Sequence, residues 1–226
     1  MAREDLERLI AAGGVPPRGA LAHLLCRAEE WIYELNARDH WVFRVYERAN
    51  VAWAGLVFRG VRRKASAIDT ELVARDGARI RFRFLVPGDE PAFADMLARF
   101  DFENLPPHPL DRATARRVLR QANCLPFGYF DARGALRGYL LLRFFFPWRV
   151  TSGVWSFPDF GGRGLTQAGL RVTAELTRQA RLADYITVPV GHNASLGAAT
   201  GAGWVVVRTN RRFHVLLNEH SLPQSD

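Results

Sequence analysis

Apolar and polar residues alternate most clearly in ARIRFRFLV, at residues 78–86. The apolar residues at 80, 82, 84 and 86 fall on one side and three arginines on the other, which predicts a strand with one buried face. Pro87, Gly88 and Asp89 end this strand. The next segment, PAFADMLARF, has apolar residues at helical spacing, and Asp89 is its predicted N-cap.

The spacing of apolar residues predicts further helices and strands through the rest of the chain. We predict a helix at residues 111–121 and then a hairpin, LPFGYFDARGALRGYLLLRFFF. A third strand follows at residues 150–157 and leads into the segment PDFGGRGLTQAGL. An amphipathic helix of about 18 residues follows. DYITVPV, WVVVRTN and RRFHVLL are predicted strands, with a small-residue helix or turn, NASLGAATGAG, after the first. This order predicts an α/β (α+β) fold, a mixed sheet with helices on both faces.

The first 76 residues have a less regular pattern. Helical spacing near residues 6–10 and 20–30 is separated by GGVPPRG, while WIYEL, WVFRVYE and VAWAGLVF suit either short strands or helices. We predict an N-terminal extension at 1–76, helical with short strands, and a main domain at 77–220. The sequence leaves open whether the extension packs on that domain or forms a separate module.

Composition narrows the classes of protein. The net charge of +8 suggests a nucleic-acid partner, but the 31 basic residues include one lysine, Lys64, and no basic motif interleaved with aromatics appears, which argues against one. The longest apolar stretch, GYLLLRFFFPW, is too short to span a membrane.

The acidic start MAREDLERLI predicts a cytoplasmic location. Cys26 and Cys124 lack metal-ligand spacing, so we expect buried thiols and no metal.

The glycine cluster between a strand and a helix calls for an explanation. A Walker loop requires a lysine, and Gln167 stands where the Gly-x-G-x-x-Gly fingerprint requires its last glycine. Bare main-chain amides at the start of a helix nevertheless bind anions well, above all a diphosphate. The sequence therefore predicts an anion site here, with Arg163 at its rim.

These residues resemble the GNAT superfamily of N-acetyltransferases, whose signature Arg/Gln-x-x-Gly-x-Gly/Ala opens the central helix. The central glycine of the signature falls on Gly164, whereas Gly161 and Thr166 depart from its first and last positions. VPVGHNASLGAATGAGW is similar to the second cofactor segment of the family. The resemblance extends from about residue 78 to 218.

The resemblance implies a GNAT-like acyl-CoA N-acyltransferase fold with acetyl-CoA as co-substrate. Two strands would separate so that the pantetheine arm pairs with main-chain groups near Ser156 and Phe157. Asn193 would lie beside the thioester or cap a helix. The acceptor would be a primary amine of a small molecule, amino sugar or peptide, attacking directly in a ternary complex, and homodimer formation stays open. The implied diphosphate cradle comprises Gly161, Gly162, Arg163, Gly164, Leu165 and Thr166.

The catalytic groups are less clear, because the strand glutamate and the helix tyrosine common in the family are both missing. Residues 150–155 contain no carboxylate, and Ala199 or Thr200 stands where the tyrosine is expected. Glu103 and His108 are the candidates, with His192 and His214 as outsiders. Three alternatives remain: a CoA-binding module without turnover, a transferase that uses an aminoacyl-tRNA donor, and a basic nucleic-acid-binding protein. Separately, the arginines at 112, 116 and 120 share one face of a predicted helix, and this face could bind an anionic acceptor.

Overall fold

The computed structural model describes residues 41–99, 112–146, 148–209 and 213–221. This part of the chain contains six α-helices and one sheet of eight strands. The helices are α1 (Trp41–Val57), α2 (Arg59–Ser66), α3 (Glu90–Ala98), α4 (Arg112–Arg120), α5 (Leu165–Gln179) and α6 (Asn193–Gly201). The strands are β1 (Asp69–Val73), β2 (Arg79–Phe84), β3 (Cys124–Phe130), β4 (Leu136–Phe145), β5 (Arg149–Ser156), β6 (Ala183–Pro189), β7 (Trp204–Thr209) and β8 (Phe213–Asn218).

The strands form one mixed sheet in the order β1-β2-β3-β4-β5-β6-β8-β7. Every neighbouring pair is antiparallel except β5 and β6, which are parallel and are joined through α5. The mixed α/β architecture predicted from the sequence is therefore confirmed.

Helices cover both faces of this sheet. On one face, α1, α2, α5 and α6 pack on a core that includes Phe82, Tyr129 and Trp204. On the other, α3 and α4 pack through Phe93 and Leu119 on a smaller core. The alternation of β2 places Ile80, Phe82 and Phe84 inside as predicted, but Val86 is exposed because the strand ends at Phe84.

The segment from WVFRVYE to VAWAGLV is a single helix, α1, because its buried residues recur at helical spacing. Asn50 and Ala54 face the sheet. The Asn50 side chain donates to Phe144 O (2.9 Å) and accepts from Phe146 N–H (3.1 Å), so it binds the end of β4. The predicted helices and the segment WIYEL within residues 1–40 lie outside the described residues.

Helix α2 is tied to the main domain by one arginine. The Arg62 guanidinium donates to the carbonyls of Gln121 and Cys124, at 2.8 and 3.1 Å, and to that of Leu119. β1 then pairs with β2 along its length, so the sheet begins at Asp69, before the boundary predicted at residue 76. Residues 41–76 are thus packed on, or part of, the same core.

The arginines of α4 have a structural partner. Arg112 and Arg116 both donate to the Glu90 carboxylate at the start of α3, at 2.9 and 3.0 Å. Arg116 and then Arg112 lower the pKa of Glu90 to about 2. These two arginines therefore hold α3 and α4 together through Glu90.

Two local predictions have mixed outcomes. Asp89 is at the N-cap of α3, but its carboxylate accepts from Val86 N–H (2.8 Å) and from Arg83 rather than from α3. Cys124 is buried, and burial raises the pKa of its thiol to about 11, so it is a packing residue. Cys26 lies outside the described residues.

Candidate functional site

Strands β5 and β6 separate after a short parallel contact. β5 pairs with β4 at every residue from Arg149 to Ser156, but with β6 only from Arg149 to Thr151. We call the point beyond Thr151 and Tyr185, where the two strands diverge, the fork. Beyond it, the side of β5 that faces β6 borders a gap in the sheet.

Main-chain groups of β5 face this gap. Phe157 N–H donates to Arg137 O on the β4 side at 3.1 Å. Hydrogen-bonded pairs alternate along an antiparallel ladder, so the N–H and C=O groups of Val154 and Ser156 are directed away from β4. An extended amide-containing chain could therefore pair with β5 here as an added strand does.

The gap leads to the glycine loop, residues 161–164. A short 3-10 turn, Pro158–Phe160, links β5 to this loop. Gly162 and Gly164 have φ values of 73° and 79°, a left-handed conformation that glycine adopts without strain. A Cβ built on Gly164 would also lie 3.3 Å from Arg75 Nε, so this glycine allows a close approach of the β1–β2 turn.

The main-chain amides of residues 161–167 have no acceptor among the described residues. The first helical hydrogen bond at this end is from Ala168 N–H to Gly164 O, at 3.1 Å. Gly164 is the N-cap of α5 and carries no side chain that could cap it. Since the helix dipole adds positive potential at the same place, this end of α5 favours an anion.

A small pocket lies under the glycine loop. Its volume is about 20 Å³, room for roughly one water molecule or one phosphate oxygen. Tyr129 and Phe160 also line it, and neither was identified from the sequence. The structure thus brings together these predicted cofactor residues: Ser156, Gly161, Gly162, Arg163, Gly164, Leu165 and Thr166.

Two arginines place positive charge around the loop. Arg163 was predicted at the rim, and its Nη1 lies 3.4 Å from Asp76 Oδ2, so this carboxylate offsets part of the arginine charge. The same guanidinium donates through Nη2 to Asp159 O. Arg75 comes from the β1–β2 turn, and its own N–H donates to Arg163 O at 2.9 Å. No pattern in the sequence pointed to Arg75, because its proximity to Gly164 depends on the pairing of β1 with β2.

A buried carboxyl group lies in the last paired residues before the fork. Asp184, fully buried on β6, accepts from Ser152 Oγ (2.8 Å) on β5 and Thr177 Oγ1 (3.0 Å) on α5. Burial raises the pKa of Asp184 to about 7, although the two hydroxyl donors act in the opposite direction. This group links the three elements that meet where the gap opens.

Two further predicted residues, Asn193 and Phe157, do not line this pocket. Asn193 is the first residue of α6 and is exposed. The alternative that Asn193 caps this helix is wrong, because His192 is the N-cap and its Nδ1 lies 2.7 Å from Ser195 Oγ. Phe157 follows β5. Glu103 and His108 lie outside the described residues.

An aromatic pair lies on the face of β5 opposite α5, and β5 itself carries no carboxylate. Trp155 stacks on Tyr139 with ring centroids 4.6 Å apart. In α6, Ala199 is buried and the Thr200 hydroxyl donates to Leu196 O at 3.0 Å. The Nδ1 atom of His214, on β8, lies 2.9 Å from Thr209 Oγ1. β5 therefore supplies no carboxylate to the gap, and α6 supplies no tyrosine.

Within the described ranges, no three His, Cys, Asp or Glu side chains are grouped so that they could hold a metal ion. No helix there is long and apolar enough to cross a membrane.

Comparison with known proteins identifies the fold. No protein-family model and no curated protein matches the sequence. Among solved structures, the GNAT domain of S. lividans PAT has 16% identity and a TM-score of 0.58, over 66% of this chain and 95% of that one. Ribosomal-protein-S5-alanine acetyltransferase from Vibrio fischeri has 14% identity and a TM-score of 0.55, over 69% of this chain and 100% of that one.

A third structure is that of PaiA N-acetyltransferase from Thermoplasma acidophilum in complex with coenzyme A. It has 11% identity and a TM-score of 0.52, over 62% of this chain and 98% of that one. Each of these chains is covered almost completely, while the additional length belongs to this protein. The chain therefore has the GNAT acetyltransferase fold, as the resemblance of its glycine loop implied.

Proposed function

We propose that this protein is a cytoplasmic acyl-CoA-dependent N-acyltransferase that transfers acetyl from acetyl-CoA to a primary amine. The observation that carries the proposal is the row of main-chain amides at residues 161–167, which has no acceptor within the part of the chain that the structure describes and borders the gap between β5 and β6. The diphosphate would bind these amides, and the pantetheine arm would pair with β5 near Ser156. Asn193 would lie towards the thioester end.

The sequence departs from the family signature at Gly161, and the fold supplies charge from another place. Arg75 approaches Gly164 from the β1–β2 turn, so an arginine distant in sequence provides positive charge beside the loop. The proposed cradle therefore combines main-chain donors with a guanidinium. This combination suits a diphosphate, whose oxygens are all acceptors.

The proposed chemistry is direct transfer between two bound substrates. The amine nitrogen forms a C–N bond with the acetyl carbonyl as the C–S bond breaks, and the amine loses one proton while the departing thiolate gains one. The protein would contribute mainly by holding both substrates in one geometry, an effect worth several kcal/mol. Glu103 and His108 remain our candidates for moving the proton. The acceptor is proposed to be a small molecule, an amino sugar or a peptide.

Binding can be tested by thermal unfolding with acetyl-CoA. Wild-type protein should melt several degrees higher at millimolar acetyl-CoA, because a ligand specific for the folded state stabilises it. Gly162→Leu should abolish this response, since its side chain would cover the amides. Gly134→Leu is the matched control: Gly134 also has a positive φ (76°) with open space around it, but lies in the β3–β4 turn.

Both leucine variants should lose a similar amount of stability, about 1–2 kcal/mol, from the left-handed backbone. A loss of the acetyl-CoA response in both variants, or in neither, would place the diphosphate elsewhere. An unchanged melting temperature in the wild type would overturn the proposal as a whole.

A second candidate is a CoA-binding module without turnover. It is favoured by the absence of any carboxylate on β5 and by Ala199 and Thr200 in α6. Release of free thiol from acetyl-CoA, measured over a panel of amino sugars, polyamines, amino acids and peptides, separates the two candidates. Thiol release with any amine supports the enzyme, whereas binding without release across the panel supports the module.

A further inference from the structure

Tyr129 presents an unsatisfied hydroxyl group next to the proposed cradle. The side chain is 1% exposed, and its hydroxyl has no hydrogen-bond partner among the described residues. It lines the pocket under the glycine loop together with Ser156 and Thr166. Buried hydroxyls are nearly always hydrogen-bonded in proteins, so this one requires an explanation.

Packing does not explain why this residue is a tyrosine. A Cβ built on Gly169 of α5 would lie 2.0 Å from the Tyr129 hydroxyl oxygen. The helix therefore carries a glycine in its interior, which is unfavourable, in order to make room for that oxygen. A phenylalanine would fill nearly the same space without an unpaired polar atom. The hydroxyl costs stability on both counts, which suggests that it serves a ligand.

We propose that the Tyr129 hydroxyl donates a hydrogen bond, directly or through one water molecule, to a phosphate oxygen of the diphosphate held by residues 161–167. The amides would bind the anion from the loop and the hydroxyl from below it. This inference rests on the proposed function, because it takes the anion to be that of acetyl-CoA.

Three features of the site agree with this role. The pocket has room for about one oxygen atom, so it suits a single phosphate oxygen or a water molecule, not an entire phosphate. Burial raises the pKa of Tyr129, which keeps the hydroxyl protonated and able to donate. The neighbouring groups are donors as well: the loop amides and the guanidinium of Arg75. Such surroundings select a ligand atom that only accepts.

The test compares Tyr129→Phe with Tyr139→Phe. Tyr139 is also buried, on the next strand, but it belongs to the core on the opposite face of the sheet. Calorimetric titration with acetyl-CoA should give about a tenfold weaker affinity for Tyr129→Phe, as expected for loss of a hydrogen bond to a charged group. Tyr139→Phe should bind as the wild type does. Without ligand, Tyr129→Phe should be at least as stable as the wild type.

Two probes identify the part of the ligand involved. S-acetyl-pantetheine, which lacks the diphosphate, should bind the wild type and Tyr129→Phe equally. Inorganic diphosphate should perturb the near-ultraviolet absorbance of a buried tyrosine in the wild type and in Tyr139→Phe, but not in Tyr129→Phe. A weakened affinity for S-acetyl-pantetheine in Tyr129→Phe would overturn the assignment to the diphosphate.

The outcomes also separate this inference from the proposed function. If the wild type binds acetyl-CoA and Tyr129→Phe binds it equally well, the role of Tyr129 is wrong and the proposed function stands. If the wild type binds neither acetyl-CoA nor inorganic diphosphate, both are wrong.

Discussion

At the scale of single residues, the buried carboxyl of Asp184 combines stability and site geometry. Its two hydroxyl donors come from β5 and α5, so it joins the elements that border the fork. Burial raises the pKa of Asp184 to about 7. Because the folded state binds this proton more tightly than the unfolded state does, the contribution is complete below about pH 4, the ordinary pKa, and is lost as the pH rises towards 7.

Asp184→Asn should therefore flatten the dependence of stability on pH between about 4 and 7. Asparagine keeps the shape of the protonated acid and stays neutral, so the variant should gain stability over the wild type at pH 8, by an amount on the order of 3 kcal/mol. Urea unfolding at several pH values measures this gain. Asp95→Asn, which alters an exposed aspartate, is the control. Equal pH slopes for the wild type and Asp184→Asn would contradict the expectation.

At the scale of elements, α5 shows how one helix serves both the core and the site. Its buried residues, among them Leu165, Gly169 and Leu176, recur at the spacing seen in the sequence. Gly164 leaves the first turn uncapped, and Gly169 makes room for the hydroxyl of Tyr129. The two glycines therefore have different functions although they lie on the same helix.

This difference predicts opposite effects for two glycine substitutions in helices. Gly197→Ala in α6 has open space around it and should raise stability by about 1 kcal/mol, the usual gain for alanine in a helix interior. Gly169→Ala should instead lower it by about 1–3 kcal/mol, because the new methyl group clashes with Tyr129. Thermal or urea unfolding measures both.

The clash provides its own control. In the Tyr129→Phe background the oxygen is gone, so Gly169→Ala should cost less than it does alone. Additive effects of the two substitutions would show that the hydroxyl is not the atom that excludes the alanine.

Most of these elements could be predicted from the sequence, and the exceptions have physical reasons. Alternation identified β2, and helical spacing identified α3 and α5, because each has one buried face. In α1 the aromatic density suited a strand equally well, and only packing against the end of β4 decides for a helix. The alternative role of Asn193 as a helix cap was one residue too far along, since position alone does not separate it from His192.

At the scale of the whole molecule, the sheet consists of two parts joined at a short seam. Strands β1 to β5 form one part and β6 to β8 the other, and the two pair only between Arg149 and Thr151 on one side and Ala183 and Tyr185 on the other. The proposed donor would fill the remaining length of the gap. The site therefore belongs to the arrangement of the sheet as much as to any side chain.

Hydrogen exchange can test this arrangement. Saturating acetyl-CoA should slow amide exchange in peptides that cover residues 152–168, because Val154, Ser156 and the loop amides would gain acceptors or cover. Peptides from β1, β2 and β7 should exchange as before. Protection spread evenly over all strands would indicate general stabilisation instead of a ligand in the gap.

The site was harder to predict from the sequence than the fold. The loop residues are contiguous, so their glycines stand out in the chain. Tyr129 and Arg75 come from β3 and from the β1–β2 turn, and only the folded sheet brings them to the loop. The proton-transfer group stays unidentified, because Glu103 and His108 lie outside the described residues and β5 carries no carboxylate.

The open edge of β5 has a consequence for how such a protein can change over time. If main-chain groups make most of the contacts with the donor, few side chains along this edge are constrained by binding. The amino-acid sequence there can then change while the donor is still bound. A signature altered at both Gly161 and Thr166 would then be compatible with an intact donor site.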